Sequence, residues 1–147
     1  MSDAQQHIAK NLLKFFLQLE LQGKVQGFLG VEKSSFLSEE RYKVPDLVYL
    51  NPQDEYLAAH GGHPLPKFVV EVVSRHDTAD YYDQKLDAYF EAGVEVVWMI
   101  YSITEKVVVH HRDSSKTFRS DTICSASPVL PQFEMPVKDI FVKPPKP

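Results

Sequence analysis

Between residues 66 and 93 the chain carries two charges where a hydrophobic core has no room for them. Phe68-Val69-Val70-Glu71-Val72-Val73 is apolar on both alternating faces. That is the pattern of a central strand covered on each side. Glu71 interrupts the run in the middle. An unpaired carboxylate at such a place is strongly destabilising, so it must meet a cation, a strong donor set or a metal. A helix is predicted to follow over residues 78–92. Its apolar stripe is Tyr82, Leu86 and Tyr89, with Tyr81 and Ala88 beside it, at three- and four-residue steps. Lys85 falls in that same stripe. A lysine on the buried side of the helix that leaves a buried glutamate is the sharpest signal in the chain.

The remaining pattern supplies the surroundings. A first helix is predicted over residues 4–22, capped near Ser2 or Asp3 and stopped by Gly23. Ile8, Leu12, Phe15, Phe16 and Leu19 form its buried face, widened by Leu13 and Leu17. Only Lys10 and Lys14 line its polar side, which favours core packing over a membrane surface. Strands are predicted over 25–31, 44–50, 94–101 and 106–111, the last two as a hairpin. An edge strand is expected over 116–123. Residues 32–40 read as a polar turn, and 51–66 as a loop with a short helix over 54–60. From Pro128 onward the chain reads as a proline-rich tail whose Lys-Pro-Pro-Lys-Pro end is extended or frayed. Helix, strands, helix, strands, with hairpins among them, predicts an α/β fold: a mixed central sheet flanked by helices.

Length and composition set the bounds. The 147 residues suit one domain, expected over 1–141 with a short tail over 142–147. A hydrophobic fraction of 44% and a charged fraction of 24% are those of an ordinary soluble globular protein. No membrane span and no secretory signal is evident. The single cysteine, Cys124, excludes an intramolecular disulfide framework and fits a reducing cytoplasm. A net charge of −4 argues against a generic basic nucleic-acid coat, but allows a metal that compensates an acidic site.

Pro45-Asp46 opens the apolar run Leu47-Val48-Tyr49-Leu50 and offers a second carboxylate. If that strand neighbours the one bearing Glu71, the two carboxylates converge on one hard cation. Magnesium suits such a site, taking one or two carboxylates, with waters and phosphate oxygens completing its shell. A backbone carbonyl of Val72 or Val73 would add a ligand. Such a cation polarises a phosphoryl oxygen and acidifies a water, and a nearby lysine orients that water or neutralises developing charge.

Val44-Pro45-Asp46-Leu47-Val48, then Val69-Val70-Glu71-Val72-Val73-Ser74, then Lys85-Leu86-Asp87-Ala88-Tyr89 resemble the bacterial putative restriction endonucleases of the Uma-two type, within the PD-(D/E)xK nuclease superfamily. Ala92-Gly93-Val94 running into Val97-Trp98, and Leu130-Pro131 through Ile140-Phe141, extend the likeness over most of the chain. The resemblance implies a restriction-endonuclease-like fold and a DNA phosphodiesterase using Mg2+ or Mn2+. Asp46 and Glu71 would hold the metal, and Lys85 would be the catalytic lysine carried on the helix. Val73 stands where the superfamily pattern has its strand lysine. A homodimer is expected, because cutting both strands of a duplex favours two sites.

Blander readings stand beside these. Asp46 after a proline also reads as a turn residue. Glu71 and Lys85 also read as an ion pair that needs no metal. Under that view the chain is an inactive nuclease fold serving as an oligomeric interaction module. His60, His63, His110 and His111 lack zinc-ligand spacing, and His7 reads as a surface residue. Arg75 and His76 stand where they would touch phosphate. Cys124 reads as a small buried residue, and Ser74 as a cap. Tyr81, Tyr82, Tyr89 and Tyr101 read as core-edge packing.

Overall fold

A computed structural model describes residues 2–31, 36, 37, 42 and 44–147. Helix α1 spans Asp3–Leu21. The Ser2 hydroxyl accepts the Gln5 N–H while the Gln5 side chain accepts the Ser2 N–H, so the helix starts on a reciprocal capping box. Gly23, at φ 73°, turns the chain out of the helix. Strands β1 (Phe28–Gly30) and β2 (Leu47–Leu50) follow, then helix α2 (Pro52–Ala59), with Asn51 as its cap and proline in its first turn. Strand β3 (Phe68–Val72) leads into helix α3 (Ala79–Ala92). The Thr78 hydroxyl accepts the Tyr81 N–H at 3.1 Å, and Gly93 ends the helix at φ 113°. Strands β4 (Val96–Tyr101), β5 (Lys106–His111), β6 (Ser114–Arg119), β7 (Ile123–Ala126) and β8 (Leu130–Pro136) come next, and a last turn of helix, α4, covers Val137–Ile140.

The first six strands form one sheet in sequence order. All neighbours are antiparallel except β3 and β4, which run parallel across the α3 connection. Both faces of its central strands β3 and β4 are covered. Phe68, Val70, Trp98 and Ile100 pack with α1, β7–β8 and α4. Val48, Val69, Val97 and Met99 pack with Tyr82 and Tyr89 of α3. This explains the apolar character of β3 and β4 on both faces. The mixed sheet between helices agrees with the predicted architecture.

Several boundaries differ from the sequence reading. Leu17 is 51% exposed, so the buried face of α1 is narrower than its apolar content suggests. Val25 and Val44 lie outside β1 and β2, because an apolar residue next to a strand need not join its ladder. The expected edge strand over 116–123 is instead β6, a turn with Ser120 at φ 55°, and the start of β7. The polar turn over 32–40 lies outside the described residues except at 36 and 37. The largest difference is the tail. Residues 130–136 form β8, which pairs with β7 in a second, two-stranded sheet. Its alternating Phe133 and Met135 are buried, and Phe133 sits 5.4 Å from Trp98, ring centre to ring centre. Proline is tolerated here because a two-stranded sheet is all edge. Residues 142–147 carry no helix or strand.

Candidate active site

Leu47 of β2 lies opposite Val70 of β3, so one step further the same register sets Asp46 opposite Glu71. Directly opposed residues raise their side chains on the same face of a sheet. That face is the one covered by α3, since Val48 and Val69 lie there. The Asp46 Oδ2 accepts the backbone N–H of Val72 at 2.7 Å, tying the start of β2 to the end of β3. From above, α3 lowers Lys85 onto Glu71, with Nζ 2.7 Å from Oε1. One turn further, the Tyr89 hydroxyl donates to that same Oε1. Glu71 and Lys85 are only 4% and 3% exposed. The Lys85 ammonium lies 5.7 Å and 5.8 Å from the ring centres of Tyr81 and Tyr89, within cation–π range.

Each carboxylate thus commits one oxygen to the chain and keeps one open. Among the described residues the contact of Asp46 runs to Oδ2, and those of Tyr89 and Lys85 with Glu71 both run to Oε1. No enclosed side-chain oxygen there lacks a partner, so both open atoms face solvent in the pocket. This pocket, of about 300 Å³, has the two carboxylates and Lys85 on its floor. Ser2 and Gln5 form one wall, and Ser74, His76, Asp77, Tyr81 and Tyr82 another. The Gln5 Nε2 donates to the Val72 carbonyl at 2.9 Å, anchoring the first turn of α1 beside the strand end. The Tyr82 hydroxyl accepts the Ser74 N–H at 2.9 Å and donates to Asp77 Oδ2 at 3.3 Å, which fixes the loop between β3 and α3.

Electrostatics follow from burial. Removal from water pushes the Glu71 carboxyl up to about 7, against the opposing charge and hydrogen bond of Lys85 and the hydrogen bond of Tyr89. Burial also raises Asp46, opposed by the Val72 N–H and by Lys85. The Tyr89 hydroxyl is held far above its ordinary range by burial and by the adjacent Glu71. For both carboxyls the cost of burial thus outweighs the opposing charge of Lys85.

The donor set fits a hard divalent cation. It offers two open carboxylate oxygens on adjacent strands, the chemistry magnesium takes when waters and a phosphate complete its shell. Among the described residues no group of three or more histidine, cysteine or acidic side chains could hold a metal, which disfavours an all-protein cage such as a zinc site.

Asp46, Glu71 and Lys85 are thus brought together. Ser74 and His76 reach the pocket, whereas Arg75 is exposed and does not line it. His7 lies outside the pocket lining, and His111 bonds the Ser127 carbonyl at 2.9 Å. Cys124 is buried, and burial pushes its thiol up to about 12. Two contacts escaped the sequence reading. Gln5 carried no reading of its own there, since the cap was placed near Ser2 or Asp3. Tyr89 was read as packing, although its position four residues after Lys85 places both on one helix face.

The Uma2 family, described as putative restriction endonucleases, matches residues 1–138. A crystal structure of a putative nuclease belonging to DUF820 from Anabaena variabilis ATCC 29413 is similar in fold, with a TM-score of 0.78 at 13% identity, covering 96% of this chain and 82% of that one. No curated protein matches the chain. The six-stranded mixed sheet between helices is the restriction-endonuclease-like fold, and the chain belongs to the Uma2 family of putative restriction endonucleases.

Proposed function

We propose that the protein is a metal-dependent endonuclease that hydrolyses phosphodiester bonds of DNA. The observation that carries this reading is the meeting of Asp46, Glu71 and Lys85 in one pocket, with an open oxygen on each carboxylate. Asp46 and Glu71 would hold Mg2+ or Mn2+. When bound, such a cation polarises a phosphoryl oxygen and makes a water more acidic. The chain's own groups do the rest. Lys85 balances negative charge that builds on the phosphate and orients the attacking water. The Asp46 and Glu71 carboxylates would set where a phosphate enters by fixing where the cation sits. Val72, through its N–H to Asp46, holds that carboxylate against β3.

The acidic pocket by itself repels a polyanion, and a bound divalent cation would offset that charge. A nucleic-acid substrate, a homodimer that cuts both strands and a cytoplasmic setting belong to the same reading. Among the described residues no helix is long and apolar enough to cross a membrane.

A titration with Mn2+ tests the proposal, comparing the wild type with Asp46→Asn. Saturable binding that Asp46→Asn abolishes, followed by DNA cleavage that Glu71→Gln abolishes, is expected. Cleavage unchanged in Glu71→Gln would overturn the assignment. A second reading rests on the 2.7 Å contact between Lys85 and Glu71, which closes the local charge with no metal. It makes the chain a non-catalytic interaction module. It requires Glu71→Gln to change stability alone and the wild type to ignore Mn2+.

A further inference from the structure

Tyr89 has no task in the chemistry proposed above, yet it is placed to govern it. Its side chain is fully buried on the α3 face of the sheet. Phe36 stacks on its ring with centres 5.7 Å apart, so the ring is held on its own account. Phenylalanine would fill the same space without the cost of burying a hydroxyl. The partner that satisfies this hydroxyl is Glu71 Oε1.

The terminal torsion of a glutamate is broad and nearly two-fold, so rotamer preference alone does not decide which oxygen faces where. Lys85 alone does not decide it either, because an ammonium is a point charge on a flexible stem with rotatable donors. Two donors meeting one oxygen from different residues do decide it. Tyr89 and Lys85 both converge on Oε1, which leaves Oε2 to face the pocket beside Asp46. The Tyr89 ring also lies 5.8 Å from the Lys85 ammonium, so one residue restrains both members of the pair.

We infer that Tyr89 is a positioning residue, whose hydroxyl holds Glu71 with Oε2 presented to a divalent cation and Oε1 reserved for Lys85. The inference rests on the two-carboxylate reading of the pocket and assigns Tyr89 a role in it. Partners of this kind, one bond removed from a metal, commonly set affinity by about tenfold or more.

The test is a set of Mn2+ titrations followed by electron paramagnetic resonance, on wild type, Tyr89→Phe, Tyr49→Phe and Glu71→Gln. Tyr49→Phe is the control for losing a buried tyrosine hydroxyl, since that hydroxyl donates to the Gln26 carbonyl at 2.8 Å on the other face of the sheet. The expected result is a dissociation constant raised about tenfold in Tyr89→Phe, unchanged in Tyr49→Phe, and binding lost in Glu71→Gln. A purely structural tyrosine would lower thermal stability in both phenylalanine variants and move Mn2+ affinity in neither, which overturns the inference and leaves the metal site standing. Absence of saturable binding in the wild type overturns the metal site and the inference together.

Should Tyr89→Phe not fold, the wild type decides. The Tyr89 hydroxyl proton, buried against a carboxylate, is followed by nuclear magnetic resonance during a Mg2+ titration. It must shift with a midpoint at the Mg2+ dissociation constant obtained from displacement of Mn2+. A resonance that ignores Mg2+ overturns the inference.

Discussion

The buried pair of Glu71 and Lys85 makes a prediction in which the sum of two losses differs from their combination. At 2.7 Å the Coulomb attraction is about 6 kcal/mol with an effective dielectric of roughly 20. Against it stands the removal of two ions from water, several kcal/mol each even after relaxation, so the pair as a whole is close to break-even. Deleting one partner is different, because the survivor keeps its desolvation cost and loses its attraction. Loss of one member of a buried pair typically costs about 3–5 kcal/mol. In Lys85→Met the stranded Glu71, already pushed up to about 7, escapes part of the cost by taking a proton, which sets the low end there, and for Glu71→Gln the same value is a floor.

Glu71→Gln and Lys85→Met should therefore each lose about 3 kcal/mol, a fall in Tm of roughly 6–12 °C for a chain of this length. The double variant should lie within about 1 kcal/mol of wild type, because a neutral amide beside a thioether leaves no stranded charge. Equilibrium urea unfolding of all four proteins, with unchanged slopes, gives the cycle directly. A double variant that loses the full sum, about 6 kcal/mol, would show that the two side chains act independently and would refute the coupling. Single variants within about 0.5 kcal/mol of wild type would refute the burial itself, since that is the behaviour of a solvated surface bridge.

Three further outcomes follow from the same geometry. The folded chain binds a proton at Glu71 more tightly than the unfolded chain, so this group's stabilisation is full below its ordinary value of 4.5 and is lost as pH rises through about 7. The stability gap between wild type and Glu71→Gln should therefore be widest below about pH 4.5 and shrink by up to about 3 kcal/mol as pH rises through about 7, and parallel curves in urea titrations at stepped pH would contradict it. Lys85→Met should bind Mn2+ at least about tenfold more tightly while losing cleavage, because a fixed cation beside two carboxylates competes with a mobile one; weaker binding in that variant would dismiss the competition. Phe133→Ala should cost about 3–5 kcal/mol in chemical unfolding, as a core ring does, whereas a frayed tail would lose almost nothing.

What the sequence disclosed depended on whether a residue broke its own local pattern. Glu71 and Lys85 were legible because each sits against a periodicity that buries it, and buried they are. Asp46 was legible only on the condition that its strand neighbours the other, and the register of β2 on β3 supplies that condition. Gln5 and the Tyr89 hydroxyl were not legible as site residues. Gln5 meets a carbonyl 67 positions away, and a tyrosine's ring gives the same hydrophobic signal whether or not its hydroxyl has a partner. The hairpin of β7 and β8 was hidden for another reason. Pro128, Pro131 and Pro136 speak for a tail locally, and only the burial of Phe133 and Met135 against the large sheet outweighs them.

The same geometry bears on Lys85 standing on the helix and not on the strand. Val73, two residues beyond Glu71, packs with the α3-facing cluster, so a side chain at that position rises on the same face as the glutamate. Two strand residues separate their side chains by about 7 Å, within the span of a lysine stem. Strand and helix are therefore two routes to one place. They differ in what surrounds the ammonium, because only the helix route passes between the rings of Tyr81 and Tyr89. Moving the lysine, by Val73→Lys in a Lys85→Met background, should restore at least half of the stability lost by Lys85→Met, since the Glu71 charge is met again. Metal affinity should return toward the wild-type value as well, because the competing cation is back. Recovery of stability without any change in Mn2+ affinity would mean that the ammonium sits away from the open oxygens. In that case the helix route is required by the site's chemistry and not only by its charge.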